Sequence, residues 1–296
     1  MPTLVSLLII LGLSALNVSK VALQTTFGRR RMQTTADTVL YNLYMFLFAA
    51  VIPGLLLLSG GGQISPLTAA AGSAFGLLSV LFQLMYLRSL AGGPVSLTIL
   101  IVAFANIVPI LYGTLFLGEP MTPLRAFAVA LVLAALIITT YEKDTSGKKA
   151  GRAWFFSVAV CFVTNGALMI LQKYHQYSAA SAERDGFVLC AYLAASAASV
   201  LILAFLLGRR TTISASMKGC VPILLGAGCG LILGLYQKLS LFMAQRLDAA
   251  FYYPALQCMI SLLSLLTGVV LFGDRLTRRQ LAGTVLGIAA LVILSI

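Results

Sequence analysis

Apolar residues run through this chain in blocks of about twenty, broken by short polar or glycine-containing connections. The blocks fall at roughly 3–25, 37–59, 66–89, 94–117, 122–141, 152–174, 186–207, 219–244, 249–272 and 277–295. About 20 mainly apolar residues in a helix cross the hydrocarbon of a bilayer, so the pattern predicts ten transmembrane helices. No basic stretch precedes the first block and no small-residue cleavage site follows it, so it reads as a retained helix and not a cleaved signal peptide. The longest hydrophilic connection, 142–151, divides the chain into a first unit at 1–141 and a second at 152–296.

The two halves repeat each other. One reads Phe116-Leu117-Gly118-Glu119-Pro120-Met121-Thr122 before its last helix, the other Leu271-Phe272-Gly273-Asp274-Arg275-Leu276-Thr277. Asn17 precedes Gln24 by seven positions, as Asn165 precedes Gln172, and Gln83 has a counterpart in Gln237. Five crossings per unit is an odd number, so tandem units enter the membrane from opposite sides. Such inverted repeats are a common plan of secondary transporters, with the substrate site near the midplane. The fold class that follows is an all-α membrane protein of ten transmembrane helices in two inverted five-helix repeats around a central cavity.

An apolar span, then Gly-Glu or Gly-Asp, then a final helix started by Thr, given twice in about 300 residues, resembles the drug/metabolite transporter superfamily, and within it the ten-helix EamA-type branch. The strongest segments are 94–141 and 249–296, and the likeness spans nearly the whole chain. It implies ten helices around a cavity that opens alternately to the two sides. Small four-helix multidrug exporters related to this family bind protons and cationic drugs at a glutamate deep in their first helix. This chain has Asn17 and Lys20 in that region instead.

Polar groups inside spans are expensive unless they meet a partner or a wet cavity, so they are the candidates for substrate binding. On the first helix Asn17, Lys20 and Gln24 share a face. The third helix offers Gln83 and Tyr86, the fourth Asn106, the sixth Asn165 and Gln172, the eighth Gln237, the ninth Tyr253 and Gln257. Competing roles are helix-to-helix hydrogen bonds for the amides and a snorkelled head group for Lys20. Lys173 and His175 fall near the end of the sixth span and read as interfacial. Pro109 and Pro254 predict bent helices, and Gly226, Gly230 and Gly234, every fourth residue, predict close helix packing. Glu119 and Asp274 read as structural acids beside helix starts, on opposite faces of the membrane. Thr122 before Pro123, and Thr277 with Gln280, read as helix caps.

Composition sharpens this picture. Sixty per cent of residues are apolar and 9% charged, against about 25% charged in soluble domains. The net charge of +12 comes in short clusters beside apolar blocks, so no nucleic-acid partner is expected. All eight acids, Asp37, Glu119, Glu142, Asp144, Glu183, Asp185, Asp248 and Asp274, lie in connections or at span ends. An acid-free interior disfavours export of cationic drugs coupled to a buried carboxylate. It suits a small neutral, zwitterionic or anionic metabolite, amino-acid-like in one version, moved by alternating access. A flippase-like carrier of a lipid-linked substrate and a non-transporting scaffold are the rival readings. No Walker-type loop, acid pair or metal cluster is visible, so no ATP hydrolysis, enzyme activity, cofactor or metal site is expected. The five cysteines read as buried apolar side chains. The partners are a small-molecule substrate, the lipid bilayer and a second copy in a homodimer, at the cell membrane, as in a bacterial plasma membrane.

Fourteen Lys and Arg residues fall in odd-numbered connections and four in even-numbered ones, with Lys20 and Lys238 inside spans. Positive residues mark the cytoplasmic side, which places both termini outside, whereas members of the family are usually described with both termini inside. A reporter active only in the cytoplasm, fused after Ile296, is therefore expected to be silent. An active reporter would reverse the orientation.

Overall fold

The computed structural model describes residues 4–32, 34–60, 62–93, 95–140, 151–272 and 277–295. The linker expected at 142–151 and Asp274 therefore lie outside the described residues, apart from Gly151. Twelve α-helices follow one another: α1 (Leu4–Arg31), α2 (Thr35–Ala49), α3 (Val51–Gly60), α4 (Pro66–Gly92), α5 (Val95–Phe104), α6 (Ile107–Phe116), α7 (Pro123–Thr140), α8 (Arg152–Tyr177), α9 (Arg184–Gly208), α10 (Cys220–Arg246), α11 (Ala249–Phe272) and α12 (Arg278–Ser295). A single 3-10 turn at Ala215–Met217 precedes α10. No strand occurs among the described residues. The helices are those expected, with the second span divided into α2 and α3 and the fourth into α5 and α6.

Eight spans are long and apolar enough to cross a bilayer, among them Leu4–Gln24, Thr35–Gly60, Leu97–Phe116 and Ala249–Thr267. The fifth and tenth are represented by shorter apolar stretches, Pro123–Ile138 and Leu281–Ala290. Large apolar side chains such as Leu58, Phe116, Phe155 and Leu201 lie exposed, as lipid-facing residues must. This is an all-α membrane protein.

The chain folds into two compact units that each draw on both halves of the sequence. The first comprises 1–15, 81–173 and 243–296, and the second 16–80 and 174–242.

In the second unit, α2 packs on α9. Phe46 stacks on Tyr192 and Gly54 of α3 faces Leu189, so the two chains run antiparallel. Helix α10 lies on α2 through the predicted glycines: a Cβ on Gly226 would strike Tyr44, one on Gly230 the Met45 carbonyl, one on Gly234 the Ala49 carbonyl. Helix α4 does the same to α9 with Gly72 against Phe187 and Gly76 against the Ala191 carbonyl. In lipid, where no hydrophobic force drives helices together, such small residues permit the close approach that packing requires.

The ends of this unit are tied by acids. At the start of α2, Asp37 forms a capping box with Thr34 and accepts the Ser214 backbone N–H at 2.9 Å and the Ser214 hydroxyl at 2.7 Å. At the start of α9, Glu183 accepts the Ser65 backbone N–H and hydroxyl, each at 2.8 Å. Each serine immediately precedes a glycine-bearing helix or its 3-10 turn. The same tie thus occurs at opposite ends of an antiparallel pair, the arrangement opposed repeats would produce.

In the first unit α7 and α12 make the most extensive helix pairing among the described elements, and α11 packs on both and on α6. Thr122 caps α7 as its sequence predicts, accepting the Arg125 N–H at 3.2 Å, and Pro123 is the first helical residue. The proline expectations divide. Between α5 and α6 the helix breaks at Ala105-Asn106, four and three residues before Pro109, and the Ala105 carbonyl, which proline cannot engage, accepts the Val108 N–H at 3.1 Å. Helix α11 runs unbroken past Pro254. Pro53 interrupts the second span in the same way, between α2 and α3, a feature the sequence reading did not single out.

Replacing Gly76 or Gly230 by valine would drive a side chain into a backbone carbonyl of the neighbouring helix. Each is expected to cost about 1–3 kcal/mol, the range for overpacking. Gly228, with nothing within 4 Å of an added Cβ, is the control. Thermal unfolding in detergent measures the difference, and equal melting of all three variants would contradict this packing.

Candidate functional site

The candidate residues divide between the units. Gln83, Tyr86, Asn106, Asn165, Gln172, Tyr253 and Gln257 fall in the first, and Asn17, Lys20, Gln24 and Gln237 in the second. Each group is described within its own unit.

In the first unit, several amides repair the broken span. Asn106 donates to the Ala103 carbonyl at 2.8 Å and Asn165 to the Val102 carbonyl at 3.2 Å. Tyr253 donates its hydroxyl to the Met169 carbonyl at 3.1 Å. Gln172 is buried. These groups satisfy backbone oxygens that lipid could not. Gln83 and Gln257 are half-buried and make no side-chain hydrogen bond to other described residues, which leaves their amides available. Tyr86 is half-buried and stacks on Phe82. A cavity of about 10 Å³ lies between α7, α11 and α12, against Cys258, Ser261 and Thr284. It has room for about one water, too little for a metabolite.

In the second unit α1 meets α10 along its polar face. Asn17 hydrogen-bonds the Tyr236 hydroxyl, and the Cys229 thiol approaches the Lys20 carbonyl at 3.9 Å. The pairings 17 with 236 and 20 with 229 make the two helices antiparallel. Lys20 lies inside the span Leu4–Gln24, half-buried. Among the described residues its ammonium forms neither an ion pair nor a hydrogen bond. Gln24 is likewise half-buried and uncommitted. Gln237 is buried, and among the described residues its amide nitrogen has no partner. A donor shut away from water without an acceptor costs about 1–3 kcal/mol.

The other lysine next to this face is already used. Lys238 pairs with Asp185 at 2.9 Å, one residue beyond Gln237 on α10. Of the acids, Asp37 and Glu183 are held by serines, Asp185 by Lys238, and Asp248 by Arg125 at 2.7 Å. None of these described carboxylates faces Lys20.

Glu119 and Lys173 behave differently from their sequence reading. Lys173 is fully buried and not interfacial, and its ammonium is bound to the Glu119 carboxylate and, at 2.8 Å, to the Leu247 carbonyl. The other Glu119 oxygen accepts the backbone N–H of Ala249, the first residue of α11. Gly118, at φ +67°, turns the chain after α6 to aim the acid there. Glu119 is thus a structural acid beside a helix start, but it serves α11 and not the helix that follows it in sequence. The negative charge also suits the positive end of the α11 dipole. His175 is buried too, against the interfacial expectation.

Helices of membrane-crossing length, apolar exteriors and polar groups held within the spans define a multi-pass membrane protein. Residues 5–141 match the EamA-like transporter family, in line with the resemblance read in the sequence. A crystal structure of a protein 15% identical superposes with a TM-score of 0.67, covering 96% of this chain and 98% of that one, a likeness of fold. No curated protein matches the chain.

Breaking a buried ion pair by removing one partner costs about 3–5 kcal/mol, whereas replacing both is far milder. Glu119→Gln and Lys173→Met are each expected to destabilise by that amount, and the double variant to recover part of the loss. A double-mutant cycle from thermal unfolding measures this, and strict additivity would show that the pair is not coupled.

Proposed function

We propose that the protein is a secondary-active carrier of a small polar metabolite, neutral, zwitterionic or anionic, working by alternating access. We further propose that the uncommitted groups of the second unit, Lys20 and Gln24 of α1 and Gln237 of α10, contribute to its binding site. The supporting observation is Lys20. An ammonium inside a span costs about 2.5–3.5 kcal/mol on the insertion scale, and structural charges of this kind are normally paired. Lys173 and Lys238 are paired; among the described residues Lys20 is not. A ligand that brings an acceptor or a negative group would supply the missing partner, and the Gln237 amide nitrogen could satisfy another of its acceptors.

Asn17 belongs to the same face, but its bond to Tyr236 makes it a positioning group. Asn106, Asn165 and Tyr253 hold backbone carbonyls, so their substitution should disturb folding before it disturbs recognition.

Purified protein should be warmed with a panel of amino acids, organic anions and quaternary ammonium compounds, since a ligand binding only the folded state stabilises it, by about 2.7 kcal/mol at a hundred times Kd, and so raises its melting temperature. Stabilisation by zwitterions or anions is expected. Lys20→Met should melt at or above the wild type without ligand and lose the ligand-induced rise. Preference for quaternary ammonium compounds, or a rise untouched in Lys20→Met, would remove Lys20 from the site.

A further inference from the structure

The chain has a single histidine, and the carrier reading gives it no role. His175 sits at the end of α8 with none of its surface exposed, its ring 4.6 Å from that of Phe187. Its hydrogen bonds form a directed chain. Arg184 Nε donates to Gln176 Oε1 at 3.0 Å, which turns the Gln176 amide nitrogen toward the imidazole. That nitrogen lies 2.8 Å from His175 Nδ1. A guanidinium has no acceptor, and an amide nitrogen only donates, so Nδ1 must accept. The neutral ring therefore carries its proton on Nε2, which donates to the Thr68 hydroxyl at 2.9 Å. The Thr68 hydroxyl in turn lies 3.2 Å from Ser65 Oγ, and Ser65 donates both its N–H and its hydroxyl to Glu183. Thr68 and Gln176 are as buried as the ring.

We infer that His175 is a proton-binding switch: neutral, it completes the chain from Arg184 to Glu183, and protonated, it cannot. An imidazolium has two N–H donors. Its Nδ1–H would confront the Gln176 amide nitrogen, donor against donor. Turning that amide by half a revolution would offer Nδ1–H the amide oxygen but aim the amide nitrogen at Arg184, another donor. One link fails in either orientation. The charged groups facing the ring are Glu183, in the connection, and Arg184, at the start of α9. From α4 it meets the Thr68 hydroxyl, and from the body of α9 the Phe187 ring. A proton on His175 therefore repels Arg184 and attracts Glu183, exchanging one partner of the α8 end for the other. Arg184 also lies over the Phe242 ring of α10, 5.3 Å from its centroid, so its release reaches a third helix.

Thr68 first, and then the Ser65 N–H and hydroxyl, hold the Glu183 carboxyl below the usual carboxylate range. Its contribution to stability is present above that range and is lost only as the pH falls through its lowered folded-state value. The neutral-histidine contribution is likewise lost on acidification, because a ring built in as an acceptor must become a donor.

The test uses full-length protein carrying a histidine-free affinity tag, so that one ¹⁵N-labelled histidine gives one set of ring signals. At pH 7.5 the expected species is the neutral Nε2–H tautomer. Between pH 7.5 and 5 the melting temperature of the wild type should fall by several degrees. His175→Gln should lack that fall. Gln176→Glu, which offers Nδ1–H a carboxylate acceptor, should shrink or reverse it. The Nδ1–H tautomer or an imidazolium at pH 7.5 would overturn the inference even if no variant folds, as would identical pH profiles of wild type and His175→Gln.

Discussion

Hydrocarbon offers no hydrogen-bond partner, so every polar group within a span must find one inside the protein or face a wet space. That constraint sorts the polar residues of this chain. Asn106 and Asn165 donate to carbonyls beside the break between α5 and α6, and Tyr253 to a carbonyl of α8. Lys173 is held by Glu119 and the Leu247 carbonyl, and Lys238 by Asp185. Lys20 and the Gln237 amide nitrogen stand outside this accounting, and the functional reading rests on them.

The same constraint explains the ends of the helices. Three acids in connections or first turns serve backbone N–H groups at the starts of other segments: Asp37 that of Ser214, Glu183 that of Ser65 and Glu119 that of Ala249. Helix starts expose N–H groups without intrahelical partners, and a carboxylate satisfies them while complementing the helix dipole. Hence acids are few, and those described are engaged at the connections.

Much of the fold was legible in the sequence because its signals are local. Span lengths, the Thr122 cap and the every-fourth-residue glycines of α10 depend on neighbours within a few turns. The matching Gly72 and Gly76 of α4 carried the same signal, four residues apart, and are found once the two halves are laid against each other. The candidate site was legible as a set of residue types but not as a partition. Which amides are consumed depends on contacts between distant segments: Asn165 reaches back 63 residues to Val102, and Lys173 reaches 54 to Glu119. The tie from Glu183 to Ser65 spans 118 residues. Periodicity within one helix shows its polar face but not the carbonyl opposite it. For the same reason the compact units, each assembled from both sequence halves, could not be read from the position of the linker.

The division into consumed and available groups can be read directly by water access. In a background without native cysteines, single cysteines would be placed at 20, 24 and 237 and at 106 and 165. Each would be exposed in membranes to a small, water-borne thiol reagent. The account predicts reaction at 20 and 24, slower reaction at the buried 237, and protection at 106 and 165. Reaction at 106 and 165 with none at 20 and 24 would contradict it.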